Sequence, residues 1–233
     1  MRKTDKSGIG GFSLLELMIA MTVTLVLLGL TGGLLSSSFR IRARESRRAD
    51  ALATARAAIN VMSREIANSG YGIAKKDGDN YTPTNGIIIA DSNGKRIHFQ
   101  SNIENKNNCA KDRGEDVTYF FDSTTQSIVR HERYWRGATA ADTPCSTTAI
   151  PEIETSVVVN RISNITYKYF NYDGSSSAPL EANGTDVPTV NTGRVQITIQ
   201  VNLEEVQGQP SNQRILFTSE VTLRNSKYML NQY

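Results

Sequence analysis

An uninterrupted apolar run near the N-terminus constrains this chain more than any other feature. Residues 17–39 are 23 consecutive positions without a charge, and most of them are Leu, Val, Met, Ile or Gly. At about 1.5 Å of rise per residue, a helix of this length covers roughly 35 Å, which is enough to cross a bilayer. One carboxylate, Glu16, lies at the edge of the run, where an unpaired charge is costly next to hydrocarbon. The sequence therefore predicts a membrane-spanning helix with a single acidic residue at its start.

A short basic leader precedes the run and ends in two glycines. Its basic residues are Arg2, Lys3 and Lys6, and the junction reads Gly11-Phe12-Ser13-Leu14-Leu15-Glu16. This pattern resembles the type IV prepilin signature, in which a prepilin peptidase cuts between a glycine and a phenylalanine. The resemblance implies cleavage between Gly11 and Phe12, N-methylation of Phe12, and Glu16 as the fifth residue of the mature chain. It also implies that the helix stays in the mature protein as membrane anchor and polymerisation stem.

The resemblance gives Glu16 a specific role. A buried carboxylate is tolerated only when it is paired, and in pilins the partner is the terminal ammonium of Phe12 on a neighbouring subunit. Such a pair would set the register of the filament. The alternative is an ordinary secretory signal, with residues 36–38 as a small-residue cleavage region. An ordinary signal, however, needs neither a glutamate at its apolar edge nor a Gly-Phe junction.

Five arginines directly after the apolar run conflict with the orientation that the prepilin signature implies. They are Arg40, Arg42, Arg44, Arg47 and Arg48. The positive-inside rule favours basic residues on the cytoplasmic side and, taken alone, would place the globular part in the cytoplasm. We give the prepilin signature more weight than the positive-inside rule and expect a periplasmic globular domain. The arginines then meet lipid headgroups, meet acidic partner surfaces, or simply solvate the helix.

Three glycines within the run permit two interpretations. Gly29, Gly32 and Gly33 each weaken a helix by roughly 1 kcal/mol relative to alanine. Gly29 and Gly33 also form a G-x-x-x-G pair, which permits close approach of another helix. The glycines either soften the stem in a filament or are tolerated as in any transmembrane helix.

The second part of the helix is expected to be amphipathic. Leu52, Ala55, Ile59, Met62 and Ile66 recur at spacings of three and four, and this gives one apolar face. Gly70 is a helix stop signal. A free-standing coiled coil is the alternative, although under three heptads is short for one. We predict a leader at 1–11, a transmembrane and polymerisation helix at 12–39, an amphipathic helix at 40–70 and a β domain at 71–233.

The remainder of the chain reads as antiparallel strands. Residues 87–90 and 96–100 flank Asn93-Gly94, which is a strong hairpin signal. Residues 117–121 and 128–135 form a second predicted pair. Alternation of apolar and polar residues predicts strands around residues 165–169, 195–203 and 215–223. The predicted fold class is α+β, with a long helix whose second half packs on an antiparallel sheet.

Two cysteines, Cys109 and Cys145, fall in the part that we expect to be exported. An oxidising compartment favours a disulfide between them, and closing that loop contributes roughly 3–4 kcal/mol on a chain-entropy estimate. Two unpaired buried thiols are the alternative.

Sequence motifs for catalysis or cofactor binding are absent. No G-x-S-x-G, H-E-x-x-H or P-loop pattern occurs, and His98 and His131 both lie in predicted strands. Oxygen-bearing residues that could bind calcium do not have EF-hand spacing; they are Asp173, Glu181, Asn183 and Asp186. A formal net charge of +3 is too small to argue for nucleic acid. We expect no enzymatic activity, cofactor or metal.

The layout is similar to the minor pilins called PilW. The match is strong over about the first 60 residues, and the Met62-x-Arg64-Glu65-Ile66 stretch that ends at Ser69-Gly70-Tyr71 strengthens it. The sheet matches in layout only. The resemblance implies a subunit at or near the pilus tip that helps to prime assembly with other minor pilins and the major pilin, and a tip adhesin is a further candidate partner. It implies an inner-membrane precursor and then an extracellular pilus. J-type pseudopilins of type II secretion are the alternative. A second alternative is an adhesive or DNA-binding module, whose binding surface would comprise Arg130, Arg133 and Arg136 near Tyr134 and Trp135.

Overall fold

The structure, a computed structural model, describes residues 12–77, 80–103, 110, 112–134, 152–172, 183–202 and 214–226, with the backbone alone for 74–83. The chain divides into two compact units, Met1–Ala49 and Asp50–Tyr233. One helix, α1 (Leu14–Ala67), contributes residues to both units. Each unit has its own physical character, because the first is apolar and exposed and the second contains a packed core.

The first unit consists of the N-terminal part of α1, with its apolar side chains exposed all round. Leucine, methionine and alanine are strong helix formers, and no proline interrupts the segment. The exposed fractions of its large apolar side chains run from 53% at Val23 to 76% at Leu14. A surface of this kind is not that of a water-soluble helix, whose apolar residues keep to one side.

The C-terminal part of α1 packs its apolar face into the second unit. Its buried residues are Ala55, Ala58, Ile59, Met62 and Ile66. This confirms the predicted face, except that Leu52 is only partly buried and Ala58 belongs to the face. A turn follows the helix, and Gly70 in it has a φ of +79°. A Cβ at that position would lie 2.1 Å from the carbonyl oxygen of Thr84, so the turn requires glycine on both grounds.

Within the described residues, nine strands form three antiparallel sheets. Their bounds are β1 (Ala74–Asp77), β2 (Asn80–Pro83), β3 (Arg96–Gln100), β4 (Asp116–Asp122), β5 (Ser127–Tyr134), β6 (Glu152–Val159), β7 (Asn164–Asn171), β8 (Thr192–Asn202) and β9 (Arg214–Thr222). The orders are β1-β2, then β3-β4-β5-β6, then β7-β8-β9. One hydrophobic cluster joins the buried face of α1 to the inner faces of the two larger sheets. The predicted α+β class, a long helix packed on antiparallel sheet, is confirmed.

The strand predictions need three corrections. Residues 87–90 are not a strand: Ile87 makes one bridge to Phe99, and Ile89–Asp91 is a 3₁₀ helix. The physical reason is side-chain hydrogen bonding, because Ser92 Oγ donates to the Ile88 carbonyl 2.8 Å away and favours a coiled path. Strands β1, β2 and β6 were not predicted. The strands also divide into separate sheets, where the pattern suggested one.

Candidate assembly site on the N-terminal helix

The mature start of the predicted stem lies at the N-terminal end of α1. Phe12 precedes the helix and is 85% exposed. The Ser13 carbonyl oxygen accepts the first helical hydrogen bond, from the Leu17 N–H at 3.1 Å. Ser13 is thus the residue that begins the helix, and Glu16 lies in the first turn. Gly11, on the other side of the predicted cleavage bond, is outside the described residues.

Glu16 is the one charged side chain in the described segment 12–39. Ser13-x-x-Glu16 has the spacing of a capping box, in which a serine begins a helix and a glutamate follows three residues later. A carboxylate in the first turn also lies at the positive end of the helix dipole. The helix therefore accommodates this carboxylate where it stands, whereas the apolar surface around it would make burial without a counter-charge costly.

Threonine and serine hydroxyls on the apolar stretch donate hydrogen bonds to main-chain carbonyl oxygens of the same helix. Thr22 Oγ1 donates to the Ile19 carbonyl at 2.8 Å, Thr24 Oγ1 to Ala20 at 2.7 Å, and Thr31 Oγ1 to Leu27 at 2.9 Å. Ser37 Oγ donates to Leu34 in the same way, at 2.8 Å. Such bonds remove the cost of placing a hydroxyl in a medium without water. Within the part of the chain that the structure describes, α1 is long and apolar enough to cross a bilayer.

The three stem glycines lie within continuous α-helix, so the subunit itself is not broken there. A Cβ added at Gly29, Gly32 or Gly33 would meet no atom within 4 Å. The folded subunit therefore does not require glycine at these positions. A requirement for glycine would have to come from the surroundings of the helix, such as another helix packed against it.

A polar network that sequence reasoning missed joins α1 to the four-stranded sheet. The phenolic hydroxyl of Tyr119 donates to Glu65 Oε2 at 2.7 Å, and Arg130 Nε lies 3.1 Å from the same oxygen. Arg130 also pairs with Glu132, which accepts a hydrogen bond from the Gly114 N–H at 2.6 Å. One signal could have indicated the network: Arg130 and Glu132 alternate with residues of the opposite face, as inward-pointing strand residues do.

Burial and charge shift the ionisation of this network in a consistent direction. Burial, followed by the negative charge of Glu65, raises the pKa of Tyr119, so its hydroxyl remains a donor. Burial alone would lower the pKa of Arg130, but the hydrogen bond to Glu132 and the charge of Glu65 outweigh it and raise that pKa. The network is therefore a neutral phenol and a cation held by two carboxylates.

The basic and aromatic residues that the sequence suggested as a binding surface have different environments in the structure. Arg130 is committed to Glu65 of the helix, with 16% of its side chain exposed. Tyr134 is buried, and its hydroxyl donates to Glu152 at 2.9 Å. Arg133 lies on the other face of the strand by alternation, and Trp135 and Arg136 are outside the described residues. The described members therefore do not form one exposed patch.

The two histidines are strand residues, as predicted from the sequence. His98 is buried in β3, with Nδ1 2.9 Å from Asp91 Oδ2 and Nε2 2.8 Å from Asp116 Oδ1. His131 contacts the ring of Phe120 edge-on, and burial followed by the charge of Arg96 lowers its pKa. Among the described residues, no group of three or more His, Cys, Asp or Glu side chains could hold a metal ion.

Several other residues singled out from the sequence lie outside the described residues. They are Cys109, Cys145, Asp173 and Glu181. The predicted disulfide therefore stays a prediction, and so does the leader at residues 1–11. Asp186, from the same candidate calcium set, is occupied by an ion pair with Lys168 Nζ at 2.8 Å.

Comparison with known proteins bears on the N-terminal segment alone. A family model described as the prokaryotic N-terminal methylation motif matches residues 6–32. No curated protein and no solved structure matches the chain. The matched residues contain the predicted cleavage junction, Glu16 and most of the apolar run, which fits membrane anchoring. The motif implies processing by prepilin peptidase and assembly with other pilins, and it supports a prepilin-type protein, either a type IV pilin or a pseudopilin.

Proposed function

We propose that this chain is a minor pilin of a type IV pilus, similar to the PilW proteins, that helps to initiate assembly at or near the tip. One observation carries the proposal: the methylation motif at residues 6–32 overlaps the exposed apolar segment 12–39, in which Glu16 is the single charged side chain. The role is structural, because a motif of this family serves processing and polymerisation. Other minor pilins, the major pilin and a tip adhesin are the expected partners.

In this proposal the prepilin peptidase cuts between Gly11 and Phe12 on the cytoplasmic side, and the new amine of Phe12 is methylated. The globular part is periplasmic until the subunit leaves the membrane. In the filament, Glu16 pairs with the amine of Phe12 on a neighbouring subunit. The carboxylate is then buried with a counter-charge, which is the condition under which burial is tolerated.

The N-terminal residue and the mass of the mature protein, recovered from membranes, test the assignment. The expected chain begins at N-methyl-Phe12 when prepilin peptidase is present and at Met1 when it is absent. A Gly11→Ala variant is the matched control and should stay at full length in both cases. A start near residues 36–39 would identify a secretory signal instead, and an intact Met1 in the presence of the peptidase would contradict the proposal.

A J-type pseudopilin of a type II secretion system is the second candidate, because the methylation motif is common to both assemblies. The two differ in the filament that the subunit enters. Co-expression with each set of partner subunits, followed by recovery of the chain in sheared surface pili or in a secretion complex, separates them. The adhesive or DNA-binding module gains no support from the described residues, since Arg130 and Tyr134 are engaged internally.

A further inference from the structure

Positive charge is concentrated in one short segment of α1. Five arginines and one glutamate in residues 40–48 give a formal charge of +4, which exceeds the +3 of the whole chain. The rest of the protein is therefore slightly acidic in total. We call these five residues the arginine collar; they are Arg40, Arg42, Arg44, Arg47 and Arg48.

The collar begins where the apolar surface ends. Phe39 and Ile41 are still exposed apolar residues, at 60% and 59%. If the hydrocarbon layer ends at residue 39, Arg40, Arg42 and Arg44 lie roughly 2–8 Å beyond it at the helical rise. That distance corresponds to the headgroup layer, which adds about 5–7 Å on each side of the hydrocarbon. Arg47 and Arg48 lie roughly 12–14 Å beyond residue 39, in water.

Side-chain direction strengthens this placement. Helical side chains lean toward the N-terminus, and Arg40 does so: its Nη2 lies 3.3 Å from Ser36 Oγ, one turn back toward the apolar stretch. The guanidinium is thus drawn to the boundary between headgroup and hydrocarbon. A guanidinium donates two parallel hydrogen bonds to phosphate and is less strongly hydrated than an ammonium, so arginine suits this depth.

We propose that the arginine collar binds the phosphates of anionic phospholipid headgroups and holds the unassembled subunit at a fixed depth in the membrane. The inference rests on the proposed function only in requiring that α1 reside in a bilayer before assembly. It also accounts for a basic segment placed against the positive-inside tendency: the charge is retained because lipid binds it. Entry into a filament would then require these contacts to be released.

Lipid selectivity of the full-length chain tests the proposal. The protein is reconstituted in phosphatidylcholine vesicles at about 0.15 M salt, where the Debye length is about 8 Å. Spin-labelled phosphatidylglycerol or phosphatidylcholine reports the fraction of lipid held at the protein. A basic residue near an anionic surface contributes about fivefold in association, so we expect a preference for phosphatidylglycerol of at least about fivefold.

Two double variants remove equal charge at different depths. The Arg40→Gln/Arg42→Gln variant removes two charges from the headgroup layer. The two side chains lie roughly 200° apart around the helix at the α-helical repeat. This variant should lower the preference at least about fivefold relative to the unmodified chain, with Arg44 left as the remaining guanidinium in this layer. The Arg47→Gln/Arg48→Gln variant changes residues roughly 12–14 Å beyond residue 39, outside the headgroup layer, and should retain most of the preference. The Arg40→Lys/Arg42→Lys variant keeps the charge and should retain most of the preference. It is the control for an effect of substitution at these positions on folding.

Either of two results would overturn the proposal: no preference for phosphatidylglycerol in the unmodified chain, or equal losses in the two glutamine variants. A loss confined to the Arg47 and Arg48 variant would likewise contradict it, because the lipid contact would then not lie at Arg40 and Arg42. The assay needs neither cleavage nor filament formation. Its failure is therefore distinct from a failure of the N-terminal assignment.

Discussion

At the scale of single residues, three buried tyrosines differ in how their hydroxyl groups are satisfied. Tyr119 donates to Glu65, and Tyr169 donates to the main-chain carbonyl of Asn93 at 3.1 Å. Tyr167 is fully buried, and within the described part of the chain its hydroxyl has no hydrogen-bond partner. A buried hydroxyl without a partner costs roughly 1–3 kcal/mol, whereas a hydrogen bond to a charged group stabilises by roughly 1.5–3 kcal/mol.

The two phenylalanine substitutions should therefore have opposite effects. Tyr167→Phe removes an unsatisfied donor and should leave the free energy of unfolding unchanged or raise it by up to about 1 kcal/mol. Tyr119→Phe removes the hydrogen bond to Glu65 and should lower it by about 1.5–3 kcal/mol. Urea denaturation of the full chain in detergent solution, followed by fluorescence, measures both. A destabilised Tyr167→Phe variant would show that this hydroxyl has a partner in solution.

At the scale of elements, α1 serves two environments with one continuous helix. Its N-terminal part carries exposed apolar side chains and internally bonded hydroxyls, and its C-terminal part buries one face on the sheets. Glu16 is the exception in the N-terminal part, because it is the one charged side chain in the described segment 12–39.

Replacing Glu16 should separate processing from assembly. Glu16→Gln keeps the size of the side chain and should be cleaved normally, since the Gly11-Phe12 junction is unchanged. Removing one partner of a buried ion pair costs roughly 3–5 kcal/mol, so incorporation into filaments should fall at least about tenfold.

The measurement is the ratio of mature chain in sheared filaments to mature chain in membranes. Thr22→Val, which removes a hydroxyl from the same stem without changing charge, is the matched control and should assemble normally. Assembly of Glu16→Gln at the level of the unmodified chain would contradict the paired-charge account of register.

At the scale of the whole molecule, the core contains three tyrosines whose burial raises the pKa of their phenols. Burial raises the pKa of Tyr119, Tyr167 and Tyr169 above the ordinary value of 10.0. In the unfolded chain these groups titrate near that ordinary value. The folded state therefore binds more protons than the unfolded state above about pH 10, and the stabilisation present below that pH is lost as the pH rises.

Stability should thus decline from about pH 10 upward, with a slope that depends on the buried tyrosines. Urea denaturation at several alkaline pH values measures the slope, and ultraviolet phenolate absorbance counts the tyrosines that titrate before unfolding. Tyr167→Phe should reduce the slope. A slope equal to that of the unmodified chain would mean that Tyr167 already titrates in the folded state.

Local pattern determined what the sequence could predict. The Gly11-Phe12 junction with Glu16, the 23-residue uncharged run and the apolar face from Ala55 to Ile66 are readable because neighbours in the chain carry the signal. The α+β class followed from the change from helical spacing to alternation. Strand β6 was not predicted, because it lies at the edge of the four-stranded sheet and five of its consecutive residues are exposed, without alternation in burial.

Tertiary structure alone decided the rest. Arg130 looks like a surface residue in the sequence, yet it is half-buried against Glu65, which lies 65 positions earlier in the chain. His98 likewise lies between Asp91 and Asp116, which come from different segments. The division of the strands into separate sheets also depends on which edges meet. A charged residue can be buried only when its partner arrives from elsewhere in the fold, and a linear pattern does not contain that partner.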